Sequence, residues 1–163
     1  MRTQLHPSAS LLEALRARPL WAAGLVLSVV GLVNAGYLSW TRLFNTTIYC
    51  GPGSSACDAV SNSVYGYLLG IPVAYLGFLS YAVLLGLLLL EHRVDFFKVN
   101  GLVLTFGLTL FGTLFSGYLQ YASIFRLREV CPYCVLNAVT MVALFVVTVL
   151  RLRSIWQADD GDA

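Results

Sequence analysis

Four stretches of the chain carry no acidic or basic side chain: Leu20 to Trp40, Ile71 to Leu90, Val99 to Phe125 and Val130 to Leu150. A charge at the centre of a membrane is costly, so stretches free of Asp, Glu, Lys and Arg are what a spanning helix demands. A bilayer hydrocarbon core about 30 Å thick is crossed by roughly 20 helical residues, so the pattern predicts four transmembrane helices. The third stretch is interrupted only by single glycines, and its ends are the least sharply marked. Small residues recur at four-residue spacing, Gly24 with Ser28, Gly31 with Ala35 and Gly112 with Ser116, which lets helices approach closely in lipid.

Composition agrees. The chain is 58% hydrophobic and 11% charged, against about 25% charged residues in soluble domains, and its mean hydropathy is +0.78. One domain is expected for 163 residues: a membrane domain at 20–151, an amphipathic leader at 1–19 and an acidic tail at 152–163. The first span is longer than a signal-peptide core and no small-residue cleavage site follows Trp40, so it is expected to be retained.

Charge sets the expected orientation. Of ten basic residues, Arg2, Arg16, Arg18, Arg93, Lys98, Arg151 and Arg153 fall on one side of the four spans, and Arg42, Arg126 and Arg128 on the other. The positive-inside rule then puts both termini in the cytoplasm of a multi-pass cell-membrane protein. The net charge of +2 reflects this topology and gives no support to nucleic-acid binding.

All four cysteines fall on the extracytoplasmic side of that map, where disulfides persist. Cys50 and Cys57 lie in the loop between spans one and two; Cys131 and Cys134 open span four as Cys-Pro-Tyr-Cys. Proline suits a first helical turn, which makes Cys131 a helix N-cap and puts Cys134 inside the first turn. Unpaired N–H groups and the helix dipole favour anionic sulfur there, and such CxxC thiols are acidic. That is a redox arrangement rather than a staple. The loop pair brackets Gly51-Pro52-Gly53-Ser54-Ser55-Ala56, a composition suited to a swinging arm. A static loop disulfide and a four-sulfur zinc site are the bland alternatives; zinc sites usually present two tight knuckles, and only one pair here is tight.

Electrons gathered at such a relay need an acceptor. Val135 follows Cys134, so there is no haem-attachment motif, and no dinucleotide fingerprint occurs. The remaining acceptor is one dissolved in lipid, a quinone such as ubiquinone or menaquinone.

The order Cys50-x6-Cys57, then Val60, Ser63, Tyr65 and Gly66, then "GIPVAYLG" opening a span and "CPYC" opening the last, resembles the vitamin K epoxide reductase family in its bacterial form over about residues 20 to 150. The resemblance implies an all-α, four-helix membrane bundle around a quinone, with a short interfacial helix in the first extracytoplasmic loop, here Asp58 to Leu69, and Tyr65 and Tyr67 at interface depth. It implies Cys131 and Cys134 as the active pair, with Cys134 confronting the quinone. Cys57 would exchange with Cys131, and Cys50 would meet a thiol partner. Ser63, Asn137 and Ala138 take the quinone-binding positions. Animal members carry tyrosine where Ala138 stands, which questions vitamin K epoxide itself as substrate. The tail "SIWQADDGDA" leaves no room for a fused thioredoxin-like domain, so a separate thioredoxin-fold (DsbA-like) partner is expected.

Other polar residues receive plainer expectations. His6 and His92 fall on the cytoplasmic side and away from the chemistry. Asp58 is expected to cap the helix after Cys57. Asn45-Thr46-Thr47 has the form of a glycosylation sequon, and Trp21, Trp40, Tyr118, Tyr121 and Trp156 fit interfacial belts. Two rival functions remain in view: a DsbB-type quinone-coupled oxidase, in which the CxxC pair comes first, and a non-enzymatic four-span scaffold whose cysteines form structural disulfides.

Overall fold

A computed structural model describes residues 19–50, 55–90 and 97–160, with side chains described except at 97–99 and 155–160. The leader at 1–18, with His6, lies outside the described residues, as do Gly51 to Ser54, the basic loop with His92, the Trp156 side chain and the end of the acidic tail. Four helices are long and apolar enough to cross a membrane. They are α1 (Pro19–Leu43), α3 (Val73–Leu90), α4 (Phe97–Tyr121) and α5 (Pro132–Asp160), with a short α2 (Ala56–Asn62) between the first two. The expected four-helix, all-α membrane fold is what forms.

The bundle closes as a ring. Helix α1 packs on α3 and α5, α4 packs on α5, and α3 meets α4 along a lighter seam. Large apolar side chains inside the spans face outward, among them Val33, Leu114 and Leu79 at 67, 67 and 60% exposure. Only lipid can cover such a surface. Because lipid is as apolar as the helices, cohesion comes from close packing rather than from the hydrophobic effect. The core is small: Ala35, Tyr81, Leu84, Met141 and Leu144. Gly31 lies flat under the Tyr81 ring and Gly112 against Met141, so two of the small-residue positions accommodate large side chains. Buried hydroxyls of Thr105, Thr109, Thr140 and Thr148 return their protons to carbonyls one turn back, which satisfies them without water.

Three expectations are corrected here. Trp21 is 3% exposed and donates its indole N–H to the Leu88 carbonyl, so it locks α1 to α3 rather than joining an interfacial belt. The interfacial helix stops at Asn62 instead of Leu69. Ser63 is extended (φ −67°, ψ 164°) and a 3-10 turn follows at Val64–Gly66. Then a two-strand hairpin, β1 (Tyr67–Leu68) with β2 (Ile71–Pro72), turns through Leu69 and Gly70, both at positive φ, the geometry of a two-residue hairpin turn. Span two therefore begins as a helix at Val73, directly after Pro72. The hairpin itself is exposed and apolar, as a segment at the lipid surface requires.

Candidate functional site

Cys131 caps α5 as its position implied, and by an unusual group. Its sulfur accepts the Cys134 N–H at 3.4 Å, and its carbonyl accepts the Val135 N–H at 3.0 Å. The sulfur that gains the helix-end field is thus Cys131, one residue outside the fourth span (Pro132–Ser154), whereas the sequence pattern pointed to the first turn and Cys134. The thiol hydrogen bond from Cys134 lowers the Cys131 thiol from 9.0 to about 7, burial opposing it and the Cys134 and Tyr133 N–H groups assisting. At neutral pH the reduced pair therefore holds a substantial share of thiolate. In reduced protein, thiolate absorbance near 240 nm is expected to rise with a midpoint near 7 rather than 9, and Cys131→Ser is expected to abolish that step. The linkage has a definite sign. A thiol whose folded value lies below its unfolded one adds stability as pH climbs from about 7 toward 9, and loses it as pH falls through 7.

The loop pair is bonded. Cys50 and Cys57 form a disulfide with Cα atoms 6.0 Å apart, while Cys131 and Cys134 are free thiols. The sulfurs of Cys50, Cys57 and Cys131 all lie within 4.8 Å of one another. Metals bind thiolates, not disulfide sulfurs, so the trio in this bonded state is an exchange geometry. Ile48, Leu38, Val60 and Tyr133 wrap it in apolar surface. Cys57 and Cys131 are 0 and 1% exposed, which keeps adventitious thiols away from the exchange.

What places Cys57 there is a set of polar ties between α1, the arm and α2. Asp58 sits in the first turn of α2, after Ser55 at the N-cap. Rather than capping that helix, its carboxylate accepts the Ile48 N–H at 3.1 Å and pins the arm leading to Cys50. At the other end of α2, Arg42 donates to the Asn62 side chain and the Ser61 carbonyl, and its guanidinium stands 5.1 Å over the Tyr67 ring. Arg42→Ala is expected to loosen this loop by about 1 kcal/mol. The readout is faster amide exchange over residues 56–66 with no change in the spanning helices.

Beneath the sulfurs lies a cavity of about 280 Å³ bounded by all four spanning helices and by α2. Its wall is mostly apolar, with Leu76, Phe111, Phe115 and Met141, and both free thiols and Cys57 are among its lining residues. Of the expected quinone-binding residues, Asn137 lines the cavity. Ser63 and Ala138 do not: the Ser63 hydroxyl turns back to the Val60 carbonyl at 2.6 Å, and half-buried Ala138 stays on the flank of α5. The sequence reading missed Ser116 and Gln120 of α4 and Ser123 just beyond it as site residues; all three line the cavity. A signal existed. Thr105, Thr109, Ser116, Gln120 and Ser123 fall on one face of an otherwise apolar span when placed at helical spacing. Ser123 lies in a π-helical turn, Ala122–Leu127, where its hydroxyl donates to the Glu129 carbonyl at 2.5 Å; such turns are frequent at functional sites.

Comparison with known proteins gives a family and a curated relative. The model of the vitamin K epoxide reductase family matches residues 22–149. The thiol-disulfide oxidoreductase LTO1 of Arabidopsis thaliana is 29% identical over 133 residues, covering 77% of this chain and 35% of that protein. The chain spans about a third of the length of that curated relative.

Proposed function

The chain belongs to the vitamin K epoxide reductase family, and from that premise we propose that it is a membrane thiol-disulfide oxidoreductase that carries electrons from an extracytoplasmic thioredoxin-fold (DsbA-like) protein to a membrane quinone. In this reading both termini are cytoplasmic and the cysteine-bearing end of the bundle faces outward. The observation that carries the proposal is the convergence of three sulfurs within 4.8 Å above a cavity that Cys131 and Cys134 line.

The relay runs by exchange alone. A reduced dithiol partner attacks Cys50, breaks the Cys50–Cys57 bond and leaves as a disulfide. The freed Cys57 thiolate attacks Cys131 of the Cys131–Cys134 disulfide, forming a Cys57–Cys131 bond and releasing Cys134 as thiolate. Cys50 then attacks Cys57, restoring the loop disulfide and leaving Cys131 and Cys134 reduced. The state described here, loop pair bonded and helix pair free, matches that last stage.

A quinone in the cavity would receive two electrons from the thiolate–thiol pair, with the Cys134 proton and one further proton from solvent, and leave as quinol. The cavity fits such a molecule, with apolar walls for a ring and polar groups of Asn137, Ser116 and Gln120 for its oxygens. On the chain's side, the Cys131 thiolate closes onto Cys134, and burial keeps bulk water from the sulfurs.

The test is reduction of ubiquinone or menaquinone by purified protein supplied with a reduced DsbA-like partner, followed by quinone absorbance. Turnover is expected to require all four cysteines. No turnover with either quinone, together with unfolding on reduction of the disulfides, would leave a scaffold.

A further inference from the structure

Tyr49 precedes Cys50, and its own ring is 70% exposed, so its side chain does not anchor it. Its backbone does. The Tyr49 N–H donates to the Tyr37 hydroxyl at 3.4 Å, and the Tyr49 carbonyl accepts the Tyr133 hydroxyl proton at 3.0 Å. The Tyr37 and Tyr133 rings lean on each other at 5.3 Å. Tyr133 is itself registered, because its carbonyl accepts an Asn34 side-chain N–H at 3.1 Å, and Asn34 is buried. Asn34 and Tyr37 are three residues apart on α1, hence on one face. A single turn of α1 thus fixes the start of α5 through one residue and the Cys50 arm through the other. Tyr133, lying between Cys131 and Cys134, joins the two.

We infer that Tyr37 and Tyr133 are positioning residues that clasp the Tyr49 peptide and hold Cys50 against Cys57, favouring closure of the loop disulfide and release of Cys131. The inference rests on the relay proposed above and concerns its last exchange. In that step the Cys50 thiolate attacks the Cys57 sulfur, the Cys50–Cys57 bond forms, the Cys57–Cys131 bond breaks, and Cys131 departs as thiolate into the Cys134 N–H. Electrons and atoms balance with no outside oxidant. Holding the attacking sulfur in place raises its effective concentration, and the clasp is made in the product of this step.

The experiment uses the full chain in lipid nanodiscs carrying Cys134→Ala. Its three remaining cysteines then share one disulfide, and the relay restricts it to Cys50–Cys57 or Cys57–Cys131, although the spacing also admits Cys50–Cys131. Acid quenching and peptide mass mapping give the ratio of the two. Adding Tyr133→Phe is expected to shift that ratio about fivefold toward Cys57–Cys131, the effect of losing one hydrogen bond of about 1 kcal/mol. Tyr37→Phe is expected to shift it the same way, and the two together by less than the product, since both grip the backbone of one residue. Both changes keep the ring pair, so the melting temperature is expected to fall by no more than about 2–4 °C, while the disulfide ratio moves. An unchanged or reversed ratio in both single variants overturns the clasp and leaves the relay standing, because the bridge still forms. Absence of any Cys57–Cys131 bridge in the Cys134→Ala parent overturns the relay, and the clasp with it.

Discussion

Cys134→Ala is expected to stop quinone reduction while the protein stays folded and its loop remains competent for exchange. The reason is one of order. Cys131 is the helix-pair sulfur that lies within 4.8 Å of both loop sulfurs, so in the proposed relay it receives the exchange and Cys134 relieves it. Without Cys134 no disulfide can close at the helix end, and two-electron delivery to an acceptor has no product. A fall in turnover of roughly a thousandfold or more follows, the scale seen when one member of a cooperating set of catalytic groups is removed. At the same time the Cys57–Cys131 bridge, transient in the parent, becomes a resting state that non-reducing electrophoresis and mass mapping detect. Cys57→Ala supplies the contrast, blocking turnover equally but leaving no such bridge. Were Cys134→Ala instead to accumulate a bond between Cys50 and Cys131, the order of transfer would be wrong. The spacing of the trio admits that pairing, so the observation is a real test.

How much of this was legible beforehand follows from where the information sits. The four spans could be read because every residue in them obeys one constraint, the cost of a charge in lipid, and their observed ends differ from the expected ones by only a few residues over most boundaries. Cys131 as a helix cap was legible because Pro132 marks a first turn. The loop was less so. Asp58 resembles a cap in sequence, yet its partner is the Ile48 N–H ten positions back, and no local pattern marks that. The Asp58 to Leu69 segment, which the resemblance implied as one short helix, is broken already at the extended Ser63, and Leu69 and Gly70 then take left-handed conformations where Tyr67 pairs with Pro72. The Tyr133–Tyr49 bond spans 84 residues. It depends on how two helices are registered by Asn34, and periodicity carries no trace of it. The polar face of α4 was legible in principle, since glutamine and serine in an apolar span must face something other than lipid.

Gly31→Ala is the substitution outside the sulfurs with the largest expected effect. A Cβ at this position would overlap the Tyr81 ring, and Tyr81 has nowhere to go: it is 0% exposed at the centre of the core and donates its hydroxyl to the Asn137 carbonyl at 3.3 Å. Either α1 and α3 separate or the ring tilts and gives up that hydrogen bond. Overpacking of this kind costs about 1–3 kcal/mol, and in lipid no hydrophobic drive recloses the gap. Thermal unfolding in detergent is therefore expected several degrees below the parent. The damage reaches the site by a short path, because Asn137 lies one turn after Cys134 on α5 and lines the same cavity, so turnover is expected to fall about tenfold beyond what lost protein accounts for. Gly86→Ala and Gly117→Ala provide the control, since nothing stands within 4 Å of a Cβ built at either. There alanine's better helix propensity, up to about 1 kcal/mol, is expected to leave stability unchanged or slightly raised. Equal losses at Gly31, Gly86 and Gly117 would mean that helix glycines here matter for flexibility rather than for contact, and would break the link from α1 packing to the cavity wall.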